Sequence, residues 1–142
     1  MTNKNKGFTL IELVVVIAVL GILAVVAVPR FINITSESRI AVLNGLAGNI
    51  RTAVSLVQTK YKAAAMSGVA TPVTMDDGTT VIIVAGGIPS NVAGGIDAAI
   101  NFNAASSGLA LTSAAGSATF AFNSTCQLVY NAGAITLTTG GC

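Results

Sequence analysis

The sequence predicts an α+β protein in which one long amino-terminal α-helix packs on a carboxyl-terminal antiparallel sheet of about four strands. Three observations lead to this prediction. Residues 8–28 form an almost unbroken apolar run. Apolar residues then recur at spacings of three and four, as on one face of a helix. Beyond residue 70, short apolar runs alternate with Gly, Asn and Asp turn signals, which is typical of strands.

The apolar run at residues 8–28 is long enough to cross a membrane. Three of its residues are not plainly hydrophobic, namely Thr9, Glu12 and Gly21. At 1.5 Å per residue the helix is about 31 Å long, which matches the ~30 Å core of a bilayer. The short segment before it contains Lys4 and Lys6. These positive charges place its amino end on the cytoplasmic side of the inner membrane.

Two helix-breaking residues lie in or next to this run, Gly21 inside it and Pro29 just after it. Either residue interrupts a helix in water, but in a membrane the neighbouring helices satisfy the freed backbone groups. The sequence therefore predicts one continuous helix from about Phe8 to about Ser67, with kinks at Gly21 and Pro29.

The second half of the predicted helix is amphipathic. Its apolar side chains form one stripe, made of Leu43, Leu46, Ile50, Val54, Val57, Tyr61 and Ala64. Charged and amide side chains supply the other faces. A helix with one apolar stripe buries that stripe against another element, so we expect the stripe to dock on the sheet of the same chain.

The remainder of the chain carries strand and turn signals. A hairpin is predicted from Thr71–Met75 and Thr79–Val84 around the turn Asp76–Gly78. A Gly- and Pro-rich loop follows, with a short helix at Ile96–Phe102. Three further strands are then predicted, at Ala118–Phe122, Cys126–Tyr130 and Ala134–Thr138.

The position of Gly7 distinguishes this amino terminus from an ordinary secretory signal. Such a signal has its small-residue cleavage site after the apolar core, whereas Gly7 lies before it. Cleavage after Gly7 would leave the whole apolar run on the mature protein, with Phe8 as its new amino terminus. An uncleaved signal anchor is the alternative, and hydropathy alone does not choose between the two.

The segment from Lys6 to Leu13, KGFTLIEL, resembles the processing site of a bacterial type IV prepilin. The resemblance covers the first 31 residues closely and the general layout of the rest. The motif is specific, because a small residue, Phe, Glu at this offset and an unbroken apolar run rarely coincide. The resemblance implies that a prepilin peptidase in the membrane cuts after Gly7 and N-methylates Phe8. The mature subunit then waits in the inner membrane before it joins a fibre.

The resemblance also implies the type IV pilin roll as the fold and a helical homo-oligomer, with the amino-terminal helices at its core. The pilus assembly machinery is the implied partner, and the surface fibre would serve adhesion, twitching motility or DNA uptake. The alternative is a pseudopilin of a type II secretion system, which shares the amino-terminal motif. The terminal cysteine pair and the lack of an evident calcium site favour a pilin. Within the pilins, Pro29-Arg30-Phe31 and the region of Gly45 and Gly48 resemble the mannose-sensitive hemagglutinin type.

Glu12 places a carboxylate inside the apolar run. At the centre of a membrane helix a carboxylate costs roughly 2.5–3.5 kcal/mol, and less near one end. In the core of a fibre it would need a partner, and the cationic amine of a cleaved Phe8 on a neighbouring subunit is one. That pair forms only if subunits are offset by one axial step, so Glu12 would set the register. In the membrane-resident subunit Glu12 would instead reach the headgroups or be protonated.

Cys126 and Cys142 are the only cysteines. An exported chain meets an oxidising compartment, where two cysteines generally pair. The predicted bridge ties down the last residue and contributes about 3 kcal/mol on a loop-entropy estimate. A metal site is the competing interpretation, which the lack of histidine and of a third cysteine disfavours. In type IV pilins such a bridge bounds a surface loop, and here that loop carries no charge.

Composition predicts neither an enzyme nor a nucleic-acid-binding protein. There is no histidine for acid–base chemistry, so no catalytic residue, cofactor or metal is predicted. The head contains three aspartates, Asp76, Asp77 and Asp97, whose spacing matches no calcium loop. Loss of the leader reduces the seven basic side chains by two, to the same number as the five acidic ones. A nucleic-acid footprint needs a dense basic patch, and the sequence shows none.

The chain is therefore predicted to have four parts. Residues 1–7 form the leader peptide, and residues 8–30 form the transmembrane and fibre-core helix. Residues 31–67 form the amphipathic half of the helix. Residues 68–142 form a globular head with the sheet and the disulfide-bounded loop 126–142. The expected location is the inner membrane for the precursor and an extracellular fibre for the assembled subunit.

Overall fold

The computed structural model describes residues 8–64, 72–114 and 116–142. Its first element, α1, is a single helix from Leu10 to Ala63, as the sequence predicts. The predicted end near Ser67 lies outside the described residues. The chain divides into two compact units, Met1–Ser36 and Glu37–Cys142. The kinks expected at Gly21 and Pro29 stay predictions.

In the first unit, the helix exposes its large apolar side chains from Leu10 to Val26. The segment Leu10–Ala27 has a mean hydropathy of 3.1 and none of it is buried. Exposed apolar surface of this extent marks an interaction with lipid or with another protein. The segment is long enough to cross a membrane by length and composition.

In the second unit, α1 contributes one face of the hydrophobic core. Leu43, Ile50 and Val57 are fully buried, which confirms that the predicted stripe docks on the chain's own head. Ala47 and Ala53 are also buried, because they lie between the larger stripe residues on the same helical face. Ala64 was wrongly placed in the stripe. It is exposed and lies just after the last residue of α1, Ala63.

Two small hairpins follow α1. Strands β1 (Val73–Thr74) and β2 (Thr80–Val81) pair across the predicted turn, and β3 (Ile83–Val84) pairs with β4 (Ile88–Pro89). The single strand predicted at Thr79–Val84 is therefore wrong, because it is split at Ile82. The Ile82 N–H donates to the Gly94 carbonyl at 2.7 Å, and its carbonyl accepts from Ser90 at 2.8 Å. These bonds use both backbone groups of Ile82, so Ile82 does not pair with a neighbouring strand.

The loop after β4 is held by close backbone packing. The Ile96 N–H donates to the Ser90 carbonyl at 2.8 Å. A Cβ on Gly95 would lie only 2.1 Å from that same carbonyl oxygen, so only glycine fits. The predicted short helix begins at Ile96 as expected but ends at Ala99, and we label it α2. A further helical turn, α3 (Ala104–Ser107), is capped by the Asn103 side chain, which accepts from Ala105.

The principal sheet has four strands in the order β5-β6-β7-β8, and all neighbours are antiparallel. The strands are β5 (Ala110–Ala114), β6 (Ser117–Asn123), β7 (Cys126–Asn131) and β8 (Ala134–Thr138). The predicted α+β class and four-stranded sheet are confirmed. The hairpin at residues 71–84 is not part of this sheet, and β5 takes the fourth place. The inner face of the sheet packs on α1 through Phe120, Leu128 and Tyr130.

Tyr130 connects the sheet to the first part of the head. Its hydroxyl is buried and donates to the Pro89 carbonyl at 2.7 Å. Tyr130→Phe should lower the free energy of unfolding by about 1–3 kcal/mol, because the buried carbonyl loses its partner. Tyr61→Phe is the matched control, because the buried Tyr61 hydroxyl has no hydrogen-bond partner among the described residues. Urea denaturation of the full chain in detergent should show a loss for the first variant and none for the second.

The same hydroxyl gives the head a pH dependence. Burial raises the pKa of Tyr130 to about 12, whereas an unfolded tyrosine titrates near pH 10. The unfolded chain therefore loses this proton first as the pH rises, and stability should fall between about pH 10 and 12. Tyr130→Phe should lack this part of the fall. Equal slopes for parent and variant over that range would contradict the assignment.

Candidate processing and assembly site

The amino end of α1 is closed by a capping box formed by Thr9 and Glu12. The Thr9 N–H and hydroxyl both donate to Oε2 of Glu12, at 3.0 and 2.8 Å. In return the Glu12 N–H donates to the Thr9 hydroxyl oxygen at 3.4 Å. This arrangement satisfies donors that the first turn of a helix otherwise leaves free. The sequence signal for it, Thr followed three residues later by Glu, was present but not used in the prediction.

The capping box fixes where the Glu12 carboxylate lies. Oε2 is held over the first turn, where the positive end of the helix dipole favours an anion. Glu12 shares a surface concavity of about 380 Å³ with Phe8, Ile11, Val15 and Val16. Phe8 itself is 82% exposed. The structure thus brings Phe8 and Glu12 together at the amino end of one chain, with apolar side chains around them.

The other residues predicted for processing and helix bending are less fully described. Gly7 lies outside the described residues, so the cleavage point stays a prediction. Gly21 lies in α1, and a Cβ built on it would meet no atom within 4 Å. Its surface is therefore open to a neighbouring helix.

The predicted disulfide is present between Cys126 and Cys142, with a Cα–Cα distance of 4.7 Å. Cys126 is fully buried at the start of β7. The segment enclosed by the bridge is mainly the β7–β8 hairpin. It turns at Ala132 and Gly133, both with positive φ, of 43° and 95°. The predicted loop is thus mostly an ordered hairpin, and it carries no charged side chain.

Arg39 of α1 holds the end of this segment. Its Nη1 donates to the Cys142 carbonyl at 3.2 Å, and its guanidinium carbon lies 5.6 Å from the centre of the Phe122 ring. Nearby, the Asn123 side chain donates to the Gly141 carbonyl at 3.0 Å. The helix, the sheet and the residues after β8 are therefore joined at one place. No signal in the sequence pointed to Arg39, since these partners are far away along the chain.

The three aspartates of the head have local structural partners. Asp76 forms an ion pair with Lys60. Asp77 accepts from the Thr79 N–H at 2.9 Å, and that backbone hydrogen bond lowers the pKa of the exposed carboxyl. Asp97 accepts from the Gly94 N–H at 3.1 Å. Within the described ranges, no three His, Cys, Asp or Glu side chains come together as metal ligands.

A surface groove of about 390 Å³ runs between α1 and the segment from Ile100 to Leu109. Its lining consists of apolar, Asn, Ser and Gly residues, and no lining residue described here is ionisable. Several of the polar groups are already used in local structure. Asn103 caps α3, and Ser107 accepts from the Leu109 N–H at 3.3 Å. The groove therefore offers shape and apolar surface rather than acid–base chemistry.

Comparison with known proteins bears on the amino-terminal region. The family model for the prokaryotic N-terminal methylation motif matches residues 2–28. The chain is 42% identical over 59 residues to the type IV narrow pilus major component PilA5 of Thermus thermophilus. It is 43% identical over 54 residues to the type IV major fimbrial protein FimA of Dichelobacter nodosus. It is 53% identical over 36 residues to the type IV major pilin protein PilA of Myxococcus xanthus.

These matches cover part of each protein. The first covers 42% of this chain and 51% of the Thermus protein. The other two cover 38% and 25% of this chain, and 35% and 16% of the respective relatives. The chain thus spans about half or less of the curated relatives that it matches. No solved structure matches the chain significantly.

The comparisons confirm the resemblance to type IV pilins, since the chain carries the methylation motif and has major type IV pilins among its homologues. Each of these homologues has the name of a pilus or fimbrial component. The mannose-sensitive hemagglutinin type stays a prediction.

Proposed function

We propose that this chain is the precursor of the major structural subunit of a type IV pilus. The observation that carries the proposal is the match of residues 2–28 to the N-terminal methylation motif, at the start of a helix whose apolar segment is wholly unburied. An unburied apolar helix needs either lipid or copies of itself around it. A pilin uses both in turn.

The proposed course begins in the inner membrane. Residues 8–30 anchor the precursor, with the leader 1–7 on the cytoplasmic side. A prepilin peptidase cuts after Gly7 and N-methylates Phe8. The assembly machinery then transfers the subunit to a fibre that extends from the cell surface. The amphipathic part, residues 31–67, and the head, residues 68–142, surround the packed helices of the fibre core.

We infer that, in the fibre, the Glu12 carboxylate forms an ion pair with the amine of Phe8 on a neighbouring subunit. The capping box supports this assignment, because it holds Oε2 towards the amino end of the helix. Oε1 has no hydrogen bond among the described residues and is available to an incoming cation. In apolar surroundings such a pair is stronger than in water, and it requires a fixed axial offset between subunits.

The helix kinks at Gly21 and Pro29 are assigned to fibre packing. Glycine within an apolar helix permits close approach of a neighbouring helix. Proline removes a backbone donor and bends the helix locally.

The disulfide-bounded hairpin is assigned to the outer surface of the fibre, where it would contact surfaces or other cells. Adhesion, twitching motility and DNA uptake are the roles that such a fibre serves.

Mass spectrometry of purified fibres tests the proposal. Assembled subunits should begin at N-methylated Phe8, so their mass should lack the seven-residue leader and include one methyl group. Replacing Gly7 by leucine should block the cut, because a bulky side chain stands where the peptidase must approach the backbone closely. The uncut chain should remain in the membrane, and cells should lose their fibres. Replacing Gly7 by alanine is the control and should retain most processing.

Fibres whose subunits still begin at Met1 would contradict the proposal. So would cells whose surface fibres persist after the gene is deleted, since the major subunit is required for any fibre.

A further inference from the structure

Each outer strand of the principal sheet has one edge that pairs with no other strand in the part of the chain that the structure describes. Strand β5 and strand β8 are each five residues long, and each belongs to a hairpin with two residues between the paired ends, Ala114 with Ser117 and Asn131 with Ala134. Neither strand contains a charged residue or a proline. The one register shift in the sheet lies between β6 and β7.

The hairpin geometry shows which backbone groups are unpaired. In a two-residue hairpin the pair that flanks the turn is hydrogen-bonded, and the pairs alternate from there. On β8, Ile135 and Leu137 therefore direct their N–H and C=O groups away from β7. On β5, Leu111 and Ser113 direct their N–H and C=O groups away from β6. Among the described residues, no hydrogen bond from outside the sheet reaches these four residues.

These edges lack the usual protection. Natural sheets block edge pairing with charged side chains, prolines, bulges or a covering segment, because a free edge is a template for another strand. Here no strand among the described residues pairs with either edge, and both edges are uncharged and equal in length. Because neither strand is charged, like charges do not repel each other when the two edges come together.

The number of strands makes the two edges complementary. With four antiparallel strands, β5 and β8 run in opposite directions. When two copies stand in the same orientation, β8 of one meets β5 of the next as an antiparallel pair. Such a contact joins two different surfaces and repeats without closing, which is the geometry of a filament.

We propose that β8 of one subunit pairs with β5 of a second copy, so that the sheets of neighbouring heads join into one. The register places Leu137 opposite Leu111 and Ile135 opposite Ser113, which keeps the inner faces of both sheets aligned. Both of these pairs are hydrogen-bonded pairs. Thr136 then lies opposite Thr112 on the outer face, in a non-hydrogen-bonded pair with Cα atoms about 4.5 Å apart.

This inference rests on the proposed function, because the contact forms only between subunits that are packed in a fibre. Two five-residue edges bury far less than the ~1,200 Å² of a stable free complex. Subunits whose helices are packed together present these edges at a high effective concentration, which makes a weak contact effective. The proposal therefore predicts pairing in fibres and none between subunits dispersed in detergent.

Cysteine cross-linking in intact fibres tests the contact. Within one subunit, Thr112 and Thr136 lie on opposite edges, three strand spacings or about 14 Å apart, which is too far for a disulfide. In the variant Thr112→Cys/Thr136→Cys, mild oxidation of fibres should therefore produce a ladder of multimers on non-reducing gels. Digestion should yield a peptide that joins positions 112 and 136. The same variant in detergent should remain monomeric.

Three controls separate this contact from others. Thr119→Cys/Thr136→Cys places one thiol on a central strand and should give no ladder. Thr136→Cys alone should give no dimer, and a dimer would indicate a closed β8–β8 pair and overturn the proposal. If the double variant does not assemble, fibres made from a mixture of the two single variants should give dimers only.

The outcomes distinguish this inference from the proposed function. If the parent makes no fibres of methylated subunits, the proposed function fails and the contact with it. If parental fibres form but neither the double variant nor the mixture cross-links at positions 112 and 136, the edge contact alone is wrong.

Discussion

Replacing Glu12 by valine should leave membrane insertion intact and abolish normal fibres. Insertion should be as efficient as in the parent or better, because a carboxylate that costs up to roughly 3 kcal/mol in the bilayer is removed. Cleavage after Gly7 should continue. Assembly should fail, because the amine of Phe8 on the neighbouring subunit loses its counter-ion. Membrane fractionation, mass spectrometry and electron microscopy of sheared fibres measure these three steps.

Two further variants separate charge from helix capping. Glu12→Gln keeps an oxygen that can accept from Thr9, and so keeps the capping box while removing the charge. Thr9→Val keeps the charge and the shape of the side chain but removes the hydroxyl that donates to Glu12. Fibre yield should fall to near zero with Glu12→Gln and should fall less with Thr9→Val. Thr9→Ser keeps the hydroxyl and should give the yield of the parent. Abundant fibres of unchanged symmetry from the valine or glutamine variant at position 12 would show that no charge pair sets the register.

Cys142→Ser should lower the free energy of unfolding of the head by about 2–4 kcal/mol. The bridge is the covalent link that holds the residues after β8. Without it, β8 keeps its pairing with β7 and the packing of Ile135 and Leu137 on the core, but the residues after it are held by hydrogen bonds alone. Membrane insertion and leader cleavage should be unaffected, because both depend on the first 30 residues. The measurement is chemical denaturation of the purified chain, together with the yield and fragility of its fibres.

Arg39→Gln is the matched control for this variant. It keeps the disulfide but removes the stacking on Phe122 and the charged donor to Cys142. The expected loss is smaller, about 1–2 kcal/mol, and fibres should persist. Two thiols that react with an alkylating agent in native, unreduced fibres would contradict the bridge. A larger loss from Arg39→Gln than from Cys142→Ser would show that the side chain, not the bridge, holds this end.

Much of the fold followed from sequence because its signals are periodic. The 3.6-residue pattern predicted α1, and the alternation of apolar residues predicted β6, β7 and β8. Strand β5 was missed because Ala110–Ala114 contains small and polar residues and is mostly exposed, so it carries little alternation. The break at Ile82 was missed for another reason, since bonds to Ser90 and Gly94 across the fold decide it.

Residues of the candidate site could be predicted only where they lie close together in the sequence or have a single possible partner. Gly7, Phe8 and Glu12 form a contiguous motif, and Cys126 and Cys142 had no alternative partner. The capping role of Thr9 also had a local signal. The contacts of Arg39 had none, because Phe122 and Cys142 come near it only after the sheet has folded onto α1. Tyr130 and Pro89 are a similar case, 41 residues apart in sequence.

The bridge between Cys126 and Cys142 has a mechanical consequence. It closes residues 126–142 into a covalent ring, so a pull on the tip at Ala132 and Gly133 loads both arms of the hairpin. One arm carries the tension along β7, and the other carries it along β8 and through the sulfur atoms. Both arms lead to Cys126, which is fully buried at the start of β7. A tether attached to this hairpin would therefore hold until a core strand is extracted, rather than peel away strand by strand.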